Sequence, residues 1–384
     1  MTATRDAAPD AAPDAAPDAA PDRVPPTPLS RDLLADVVAL TAALCDIPSV
    51  SAGERLIADT IEATLRAHAP HLDIVRDGDA IVARTALDRA RRVIIAGHID
   101  TVPINANLPT RLEEGVLHGR GTVDMKGGCA VLLSLAVELV APAYDVTWVF
   151  YDHEEVSSEL NGLGRLARTR PELLEADFAI LGEPSNGTVE GGCNGTLRVE
   201  LRTTGRRAHS ARAWRGVNAI HALQPAFVTL AAYEPATIEV DGLAYREGLN
   251  AVGISGGVAG NVIPDAAVME VNYRFAPDKS EVEAEALMRE LFEREGVEVV
   301  VTDAAAGARP GLDAPLAQHF LAAVGGTPAP KYGWTDVARF SELGIPAVNY
   351  GPGDPSLAHA DDERVPVQQI VDCARGLRAW LAAG

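Results

Sequence analysis

Apolar residues recur along most of the chain in two alternating patterns. Residues 32–46 and 54–67 place them at helical spacing, and residues 126–140 form an apolar, small-residue stretch long enough for a buried helix. Because apolar strands that alternate with helices are typical of open α/β sheets, the pattern predicts an α/β domain with a mostly parallel sheet. The short, apolar, β-rich runs are residues 92–96, 146–151 and 178–181.

The pattern changes after Gly195, where a second group of segments begins. Their β-α-β-β-α-β order predicts a small ferredoxin-like sandwich inserted into the larger domain. Beyond Ala308 the earlier alternation resumes and ends in a helix over 367–381. The predicted strands of the insert are 196–204, 250–255, 267–275 and 297–302, and its helices are 217–233 and 281–293.

The start of the chain has a composition of its own. Residues 7–22 repeat Ala-Ala-Pro-Asp four times, and a proline at every fourth position prevents a regular helix. We therefore predict a disordered tail over 1–29. The remainder divides into a larger domain over 30–195 and 309–384 and an inserted domain over 196–308.

Composition and charge narrow the classes of partner and location. The 384 residues are 47% hydrophobic, and 54 acidic against 33 basic residues give a formal net charge of −21. Such an excess of acid argues against nucleic acid or an anionic membrane as a partner. The four cysteines show no C-x-x-C spacing, and no apolar run approaches the ~18 residues that span a bilayer. We expect a cytoplasmic globular protein.

Side chains that can bind metal ions follow all three apolar runs. Residues 98–100 read His-Ile-Asp, residues 152–155 read Asp-His-Glu-Glu, and Glu183 follows the third run. Because the carboxyl ends of parallel strands meet at one edge of a sheet, these groups can converge. Asp124 precedes a predicted helix, and His359 follows a loop rich in glycine and proline.

Each of these motifs alone has an ordinary structural explanation. A lone His-x-Asp is more often a capped turn than a ligand, paired glutamates are usually a solvated face, and Asp124 alone could be a helix N-cap. Their joint placement at one edge of the predicted sheet makes these explanations improbable together. The pattern therefore favours a metal centre.

These motifs resemble those of the dinuclear zinc amidohydrolases, the superfamily of aminoacylases, carboxypeptidases and acetylornithine deacetylases. The resemblance runs from about residue 31 to the C-terminus. It implies a mostly parallel-sheet, dizinc aminopeptidase-like catalytic domain with an inserted ferredoxin-like lid and dimerisation domain. The segments that are closest to the succinyl-diaminopimelate desuccinylase branch are G-C-N-G-T-L at 192–197, the stretch 207–221, N-V-I-P at 261–264 and the stretch 331–341.

The resemblance assigns five metal ligands. Asp124 would bridge two ions, with His98 and Glu183 completing one site and Glu155 and His359 completing the other. Nitrogen and oxygen ligands without a thiolate suit zinc, with cobalt or manganese as alternatives. The expected cofactor is therefore two Zn²⁺ ions per subunit.

The resemblance also assigns roles in catalysis. Glu154 would be the general base that takes a proton from water and delivers it to the leaving amine. Asp100 would accept the second N–H of the His98 imidazole. His209 would stabilise the oxyanion in the active site of the other subunit of a homodimer, although it could instead be a surface histidine near a helix start. His153 is at most a support residue.

Three further residues, Asn261, Arg274 and Thr335, match substrate-contact positions, and a guanidinium group binds a carboxylate well. The run 192–195 departs from the pattern because Cys193 and Asn194 stand where many desuccinylases carry an arginine. The candidates to replace that arginine are Arg198, Arg212 and Arg215.

The expected reaction is the release of succinate from N-succinyl-LL-diaminopimelate, on the route to lysine and cell-wall diaminopimelate. The substrate would be a small, anionic N-acylated amino acid. Acetylornithine deacetylase, aminoacylase and dipeptidase activities are alternatives with the same chemistry. A catalytically silent metal-binding protein is an alternative of another class, which Glu154 disfavours because such a protein needs no base.

Overall fold

The computed structural model describes residues 26–383. Residues 1–25 of the tail predicted for 1–29 therefore lie outside the described residues. Residues 26–30 have no regular structure, and the backbone N–H of Leu29 donates to Oγ1 of Thr64 at 3.0 Å. The chain enters its first helix directly after this contact.

Helices and strands are numbered here in chain order. The helices are α1 Arg31–Ala35, α2 Val37–Cys45, α3 Arg55–His68, α4 Lys126–Glu138, α5 Gly162–Thr169, α6 Ala219–Ala222, α7 Gln224–Ala232, α8 Glu281–Phe292, α9 Pro315–Val324, α10 Val337–Glu342 and α11 Val367–Ala383. The first nine strands are β1 Asp73–Asp77, β2 Ala80–Arg84, β3 Arg92–His98, β4 Arg111–Glu113, β5 Val116–His118, β6 Asp145–Tyr151, β7 Phe178–Leu181, β8 Glu190–Gly191 and β9 Gly195–Thr204. The others are β10 Thr237–Val240, β11 Leu243–Arg246, β12 Gly248–Gly256, β13 Ala266–Phe275, β14 Val297–Ala305, β15 Ala329–Pro330, β16 Ala347–Asn349 and β17 Arg364–Pro366.

The three predicted apolar runs form neighbouring strands of the central sheet. Eight strands lie in the order β1-β2-β6-β3-β7-β16-β8-β15, and the strands from β6 to β16 in that order pair in parallel. The predicted mostly parallel α/β fold is confirmed. Because β6, β3 and β7 run in the same direction, the residues that follow them meet at one edge of the sheet.

Helices cover both faces of this sheet. The larger core lies between the strands and the helices α1 to α4, α9 and α11, whereas α5 and α10 bury the other face. Burial on both faces explains why the central strands are apolar along their whole length rather than alternating. Among residues 26–383, no helix combines the length and apolarity needed to cross a bilayer.

The segment from β9 to β14 forms a separate antiparallel sheet. Its strands lie in the order β12-β13-β9-β14, which is the ferredoxin-like arrangement of the predicted β-α-β-β-α-β unit. Apolar side chains of α6 to α8 pack on one face, and Tyr273, Phe275, Met288 and Phe292 are fully buried there. The division into domains at 195/196 and 308/309 stays a prediction.

Two predicted helices differ from the structure. The predicted helix 32–46 is two helices, because the Asp36 side chain accepts the N–H groups of Val38 and Ala39 and starts a new helix. The predicted helix 217–233 is split into α6 and α7, and Pro225 at the start of α7 has no N–H to continue α6.

A β10–β11 hairpin within the insert was not predicted. Its two-residue loop is Asp241-Gly242, and both residues have positive φ, at 48° and 82°. Asp-Gly between two short alternating segments is a hairpin signal, so the sequence contained the information.

A small third sheet lies beside the carboxyl edge of the central sheet. Its strands lie in the order β17-β5-β4, and β17 pairs antiparallel with β5 so that Arg364 lies opposite His118. The chain leaves β5 toward Asp124 and reaches β17 from His359, so this sheet joins two segments that are distant in sequence.

Candidate metal centre

Strand order brings the predicted metal ligands together. His98 is the last residue of β3 and lies opposite Tyr151 of β6, after which the chain turns into Glu154 and Glu155. Glu183 follows β7, the neighbour of β3 on its other side. The prediction that these three segments converge at one edge of the sheet is confirmed.

Asp124 lies between two histidines. Its Oδ1 is 3.1 Å from Nε2 of His98, and its Oδ2 is 3.3 Å from Nε2 of His359. The same nitrogen of each imidazole also faces a second carboxylate: Glu183 Oε1 is 3.9 Å from His98 Nε2, and Glu155 Oε2 is 3.0 Å from His359 Nε2. The arrangement is two ligand groups that share one aspartate.

The described residues contain three groups of side chains whose potential ligand atoms lie within 4.8 Å of one another inside each group. Two of them have the membership expected from the resemblance. The third joins His98 to the neighbouring pair Glu154 and Glu155, so Glu154 lies beside the two ligand groups. The groups are His98, Asp124 and Glu183; Asp124, Glu155 and His359; and His98, Glu154 and Glu155.

Two glycines allow the Asp124 segment to approach the sheet. A Cβ at Gly127 would lie 2.5 Å from the carbonyl oxygen of Thr122, and a Cβ at Gly128 would lie 2.1 Å from that of Gly182. The first turn of α4 therefore packs directly on the backbone next to Glu183, which a larger residue would prevent.

The electrostatics of the centre fit bound cations. Hydrogen bonds to Asp124 and Glu155 raise the pKa of His359 to about 10. Burial, followed by the charge of Asp124, raises the pKa of Glu183 to about 8. Oε1 of Glu183 is buried and has no hydrogen-bond partner among residues 26–383. The centre thus has more carboxylate than its own groups can neutralise, and divalent cations would supply the missing charge.

Asp100 differs in detail from its predicted role. Nδ1 of His98 lies 3.0 Å from the backbone carbonyl oxygen of Asp100 and 3.4 Å from its carboxylate Oδ1. The carboxylate instead accepts the backbone N–H groups of Glu154 at 3.0 Å and Glu155 at 3.1 Å, and the hydroxyl of Ser51 at 2.7 Å. A backbone carbonyl is thus the closer partner of the His98 ring.

Glu154 has the properties of a proton-transfer group. Burial raises its pKa well above the ordinary value; His98 opposes this shift, and the carboxylates of Glu183 and Asp336 add to it. A carboxylate whose pKa is raised accepts a proton more readily than an ordinary one, which is the property that a general base needs.

His153 and Cys129 lie outside the ligand groups found among the described residues. His153 Nδ1 is 2.8 Å from Oδ2 of Asp152 and 3.4 Å from Oε1 of Glu54. Cys129 is buried in α4 and its thiol donates to the backbone carbonyl of His98 at 3.0 Å. The contacts of His153 and Cys129 are those of residues that support the neighbouring backbone.

His209 and Asn261 lie together in the insert, and neither belongs to a ligand group found among the described residues. His209 is exposed, and its Nδ1 accepts the backbone N–H of Ala211 at 3.1 Å. The backbone carbonyl of Asn261 accepts the N–H of Ser210 at 2.9 Å. His209 is the N-cap of the short 3₁₀ helix Ser210–Arg215, which carries the exposed Trp214.

Arg274 and Thr335 are both close to Cys193. Thr335 is buried; its hydroxyl donates to Oδ1 of Asn349 at 2.9 Å, and its carbonyl lies 3.7 Å from the Cys193 thiol. Arg274 is half-buried and has no ion pair among the described residues. Burial lowers its pKa, and the nearby Arg198 lowers it further.

The candidate replacement arginines are in two places. Arg198 lies on β9, opposite Asn272 of β13, the strand that also carries Arg274. Its guanidinium Nε is 4.0 Å from the Asp303 carboxylate. Arg212 and Arg215 are exposed on the 3₁₀ helix Ser210–Arg215. Arg198 is therefore the candidate that shares a sheet with Arg274.

Two buried residues near the centre were not identified from the sequence. Asp336 is fully buried and accepts the Asn161 side-chain amide at 2.9 Å. Glu363 is also buried and accepts the backbone N–H of Asp124 at 3.1 Å. Glu363 stands in an acidic run, Asp361-Asp362-Glu363, which by itself is typical of a solvated loop.

Comparison with known sequences gives close relatives. The sequence profile of the peptidase family M20/M25/M40 matches residues 94–383. A Mycobacterium tuberculosis protein with the provisional name succinyl-diaminopimelate desuccinylase is 56% identical over 350 residues, covering 91% of this chain and 99% of the relative. The Corynebacterium glutamicum succinyl-diaminopimelate desuccinylase is 48% identical over 359 residues, covering 91% and 97%.

Solved structures share the fold. A tripeptidase from Staphylococcus aureus aligns with a TM-score of 0.75 at 20% identity, covering 91% of this chain and 98% of that one. A Bacillus subtilis protein described as a dinuclear metal binding peptidase from the M20 family aligns with a TM-score of 0.68 at 16% identity, covering 92% and 98%.

Proposed function

The chain belongs to the peptidase family M20/M25/M40, and on this premise we propose that it hydrolyses N-succinyl-LL-diaminopimelate to succinate and LL-diaminopimelate. This reaction would serve the synthesis of diaminopimelate and lysine. The observation that carries the proposal is the placement of Asp124 between His98 and His359, with Glu154 alongside. The two relatives at 56% and 48% identity support the substrate.

Members of this family act with a dinuclear metal centre, and the residues of this chain fit one. We assign His98, Asp124 and Glu183 to one ion and Asp124, Glu155 and His359 to the other. Zn²⁺ suits this nitrogen and oxygen donor set, with Co²⁺ or Mn²⁺ as alternatives. Bound there, two such ions would acidify water and polarise the amide carbonyl of the substrate.

Glu154 is assigned the proton transfer. Its carboxylate accepts a proton from the attacking water, and the resulting carboxylic acid donates that proton to the leaving amine nitrogen. The raised pKa supports this exchange, since a more weakly basic carboxylate would accept the proton from water poorly. Asp100 contributes by holding the backbone of Glu154 in place.

Substrate recognition is assigned to Arg274, Thr335 and Asn261. A half-buried guanidinium without an ion-pair partner in the described chain suits a substrate carboxylate, which it can bind with two parallel hydrogen bonds. Cys193 and Asn194 leave no arginine in the run 192–195. Arg198 is the proposed second cation, because it is close enough to Arg274 to lower its pKa.

A homodimer through the insert is also proposed, with His209 acting in the partner's active site. The exposed apolar residues of the insert support this interface, since apolar side chains on an edge strand are typical of contact surfaces. Val252 and Ile254 on the edge strand β12 are 61% and 56% exposed, and Phe227 and Val228 on α7 are 47% and 56% exposed.

Mixed dimers test the role of His209. When H209A and E154Q proteins are mixed and exchange subunits, the H209A subunit regains an intact site if His209 comes from its partner. We expect activity in the mixture that neither parent has. If the mixture stays inactive although sedimentation and subunit exchange show mixed dimers, His209 does not act across the interface.

A substrate panel tests the reaction. The metal-loaded protein is given N-succinyl-LL-diaminopimelate, N-acetylornithine, N-acyl amino acids and dipeptides, and the free amine is measured. Selective succinate release supports the proposal, and preference for another amide would reassign the substrate within the same chemistry. Hydrolysis of none of them, with two ions bound, would favour a silent metal-binding protein.

A cytoplasmic location stays a proposal, supported by the sparse cysteines.

A further inference from the structure

A buried ion pair connects the backbone of two proposed metal ligands. Oε2 of Glu363 accepts Nη1 of Arg120 at 2.7 Å, and both side chains are almost completely buried. Oε1 of Glu363 accepts the backbone N–H groups of Val123 at 2.9 Å and Asp124 at 3.1 Å. Glu363 thereby uses both oxygens at the base of the segment that carries Asp124.

The same pair also reaches the segment that carries His359. Nη2 of Arg120 contacts the backbone carbonyl of His359 at 3.4 Å. In addition, the backbone N–H of Gly119 donates to the carbonyl of Glu363 at 3.0 Å. Each member of the pair therefore bonds to the segment that carries the other member, although Asp124 and Glu363 are 239 positions apart in the chain.

The distance between the Asp124 carboxylate and the His359 imidazole depends on how these two segments are held. His359 adopts a positive φ of 64°, which a non-glycine residue keeps only where its surroundings enforce it. The side chain itself is 54% exposed, so packing around the ring supplies little constraint. The pairing of β5 with β17 and the Arg120–Glu363 pair provide the constraint on the backbone.

We propose that Glu363 and Arg120 are positioning residues that set the geometry between Asp124 and His359 for the ion they share. The inference rests on the metal centre proposed above and adds residues outside its ligand set. Partners outside the ligand shell typically change metal affinity by about 10- to 100-fold when they are replaced. The larger effect should fall on the ion held by Asp124, Glu155 and His359, because the pair contacts the segments of two of its ligands. Among residues 26–383, Asp124 is the one ligand of the other ion whose segment the pair contacts.

Glu363→Gln is the main test. Glutamine keeps one oxygen for the backbone N–H groups but turns an N–H group toward Arg120, which leaves a buried guanidinium without its counter-charge. We expect Zn²⁺ titration of the metal-free protein by calorimetry to show one ion bound about 10- to 100-fold more weakly than in the wild type and a smaller change for the other ion. The Co²⁺-loaded protein should change its visible absorption, and saturating Zn²⁺ should restore kcat with KM unchanged.

Glu247→Gln is the matched control. Glu247 is also buried and accepts a backbone N–H from Ala276 and an ammonium group from Lys279, but it lies in the insert, outside the ligand groups. This variant should lower thermal stability without changing either metal affinity. A loss of affinity equal to that of Glu363→Gln would mean that general destabilisation is the cause, and would overturn the proposal.

Arg120→Lys decides the outcome if Glu363→Gln does not fold. Lysine keeps the charge beside Glu363 but has no second N–H arm to reach the His359 carbonyl. The affinity for the ion held by Asp124, Glu155 and His359 should therefore fall again. If every variant that folds binds both ions with wild-type affinity, the inference about Glu363 and Arg120 is overturned and the proposed metal centre still stands. Failure of the wild-type protein to bind two ions removes the proposed centre as well, so the two failures are distinguishable.

Discussion

The carboxylate of Asp100 accepts the backbone N–H of Glu154 at 3.0 Å. Asp100 follows β3 and Glu154 follows β6, so this hydrogen bond joins the ends of two neighbouring strands. The other carboxylate oxygen accepts the N–H of Glu155 at 3.1 Å. One buried side chain thus fixes the backbone of both the proposed base and a proposed ligand. The backbone carbonyl oxygen of Asp100 contacts His98 as well.

Asp100→Asn should reduce kcat by about 10- to 100-fold at saturating metal. Asparagine has one oxygen and can accept only one of the two N–H groups, so the segment of Glu154 and Glu155 would lose part of its support. Steady-state kinetics measure the effect. Ser51→Ala is the control, because it removes only the hydroxyl that donates to Asp100, and an equal loss in both variants would contradict the assigned role.

Glu154→Gln should abolish turnover while both ions stay bound. Glutamine is nearly the same size but cannot carry a proton, and removal of a general base typically costs about 10²- to 10⁴-fold in rate. Metal content by mass spectrometry and amine release measure the two effects separately. Activity near the wild-type level would exclude Glu154 as the base.

His359→Ala should leave about one bound ion where the wild type binds two. The imidazole is 3.3 Å from Asp124 and 3.0 Å from Glu155, and its loss leaves that ion two carboxylates alone. Equilibrium dialysis gives the stoichiometry. Two tightly bound ions in this variant would refute the ligand assignment.

The metal-free protein should lose stability as the pH rises from about 5 to 9. Glu183 has a pKa of about 8 in the folded chain, and that of His359 is about 10. Both exceed the ordinary values of 4.5 and 6.5, so above those values the folded state binds more protons than the unfolded state. The free energy of unfolding then falls with pH until the folded pKa is passed.

Thermal unfolding of the metal-free protein at several pH values measures this trend. Glu183→Gln removes one of the two groups and should flatten the slope between about pH 5 and 8. Bound cations replace the protons, so the metal-loaded protein should lack the trend. A metal-free protein whose stability rises over this range would contradict the assignment.

The sequence was informative wherever a chemical group follows a regular strand. His98, Glu154, Glu155 and Glu183 could be predicted because apolar runs mark β3, β6 and β7, and parallel strands align their ends. Glu363 could not, because its role depends on the pairing of β17 with β5. Likewise, the Asp100 hydrogen bonds depend on backbone geometry that residue types do not encode.

Arg274→Lys should raise KM for the succinylated substrate by about 10- to 100-fold with a smaller change in kcat, since hydrogen bonds to charged groups contribute about 1.5–3 kcal/mol. Lysine keeps the charge but loses the planar fork that binds a carboxylate through two hydrogen bonds. Arg202→Lys on the exposed side of β9 is the control, since Arg202 pairs with Glu200 rather than with the substrate region.

The comparison of acyl groups identifies which carboxylate Arg274 binds. N-succinyl and N-acetyl derivatives of one amine differ in the terminal carboxylate of the succinyl group. If Arg274 binds that carboxylate, the substitution should weaken only the succinylated substrate, and the variant should lose its preference for succinyl over acetyl. An equal rise in KM for both would place Arg274 at a carboxylate of the amino-acid portion, and no rise for either would remove it from the binding site.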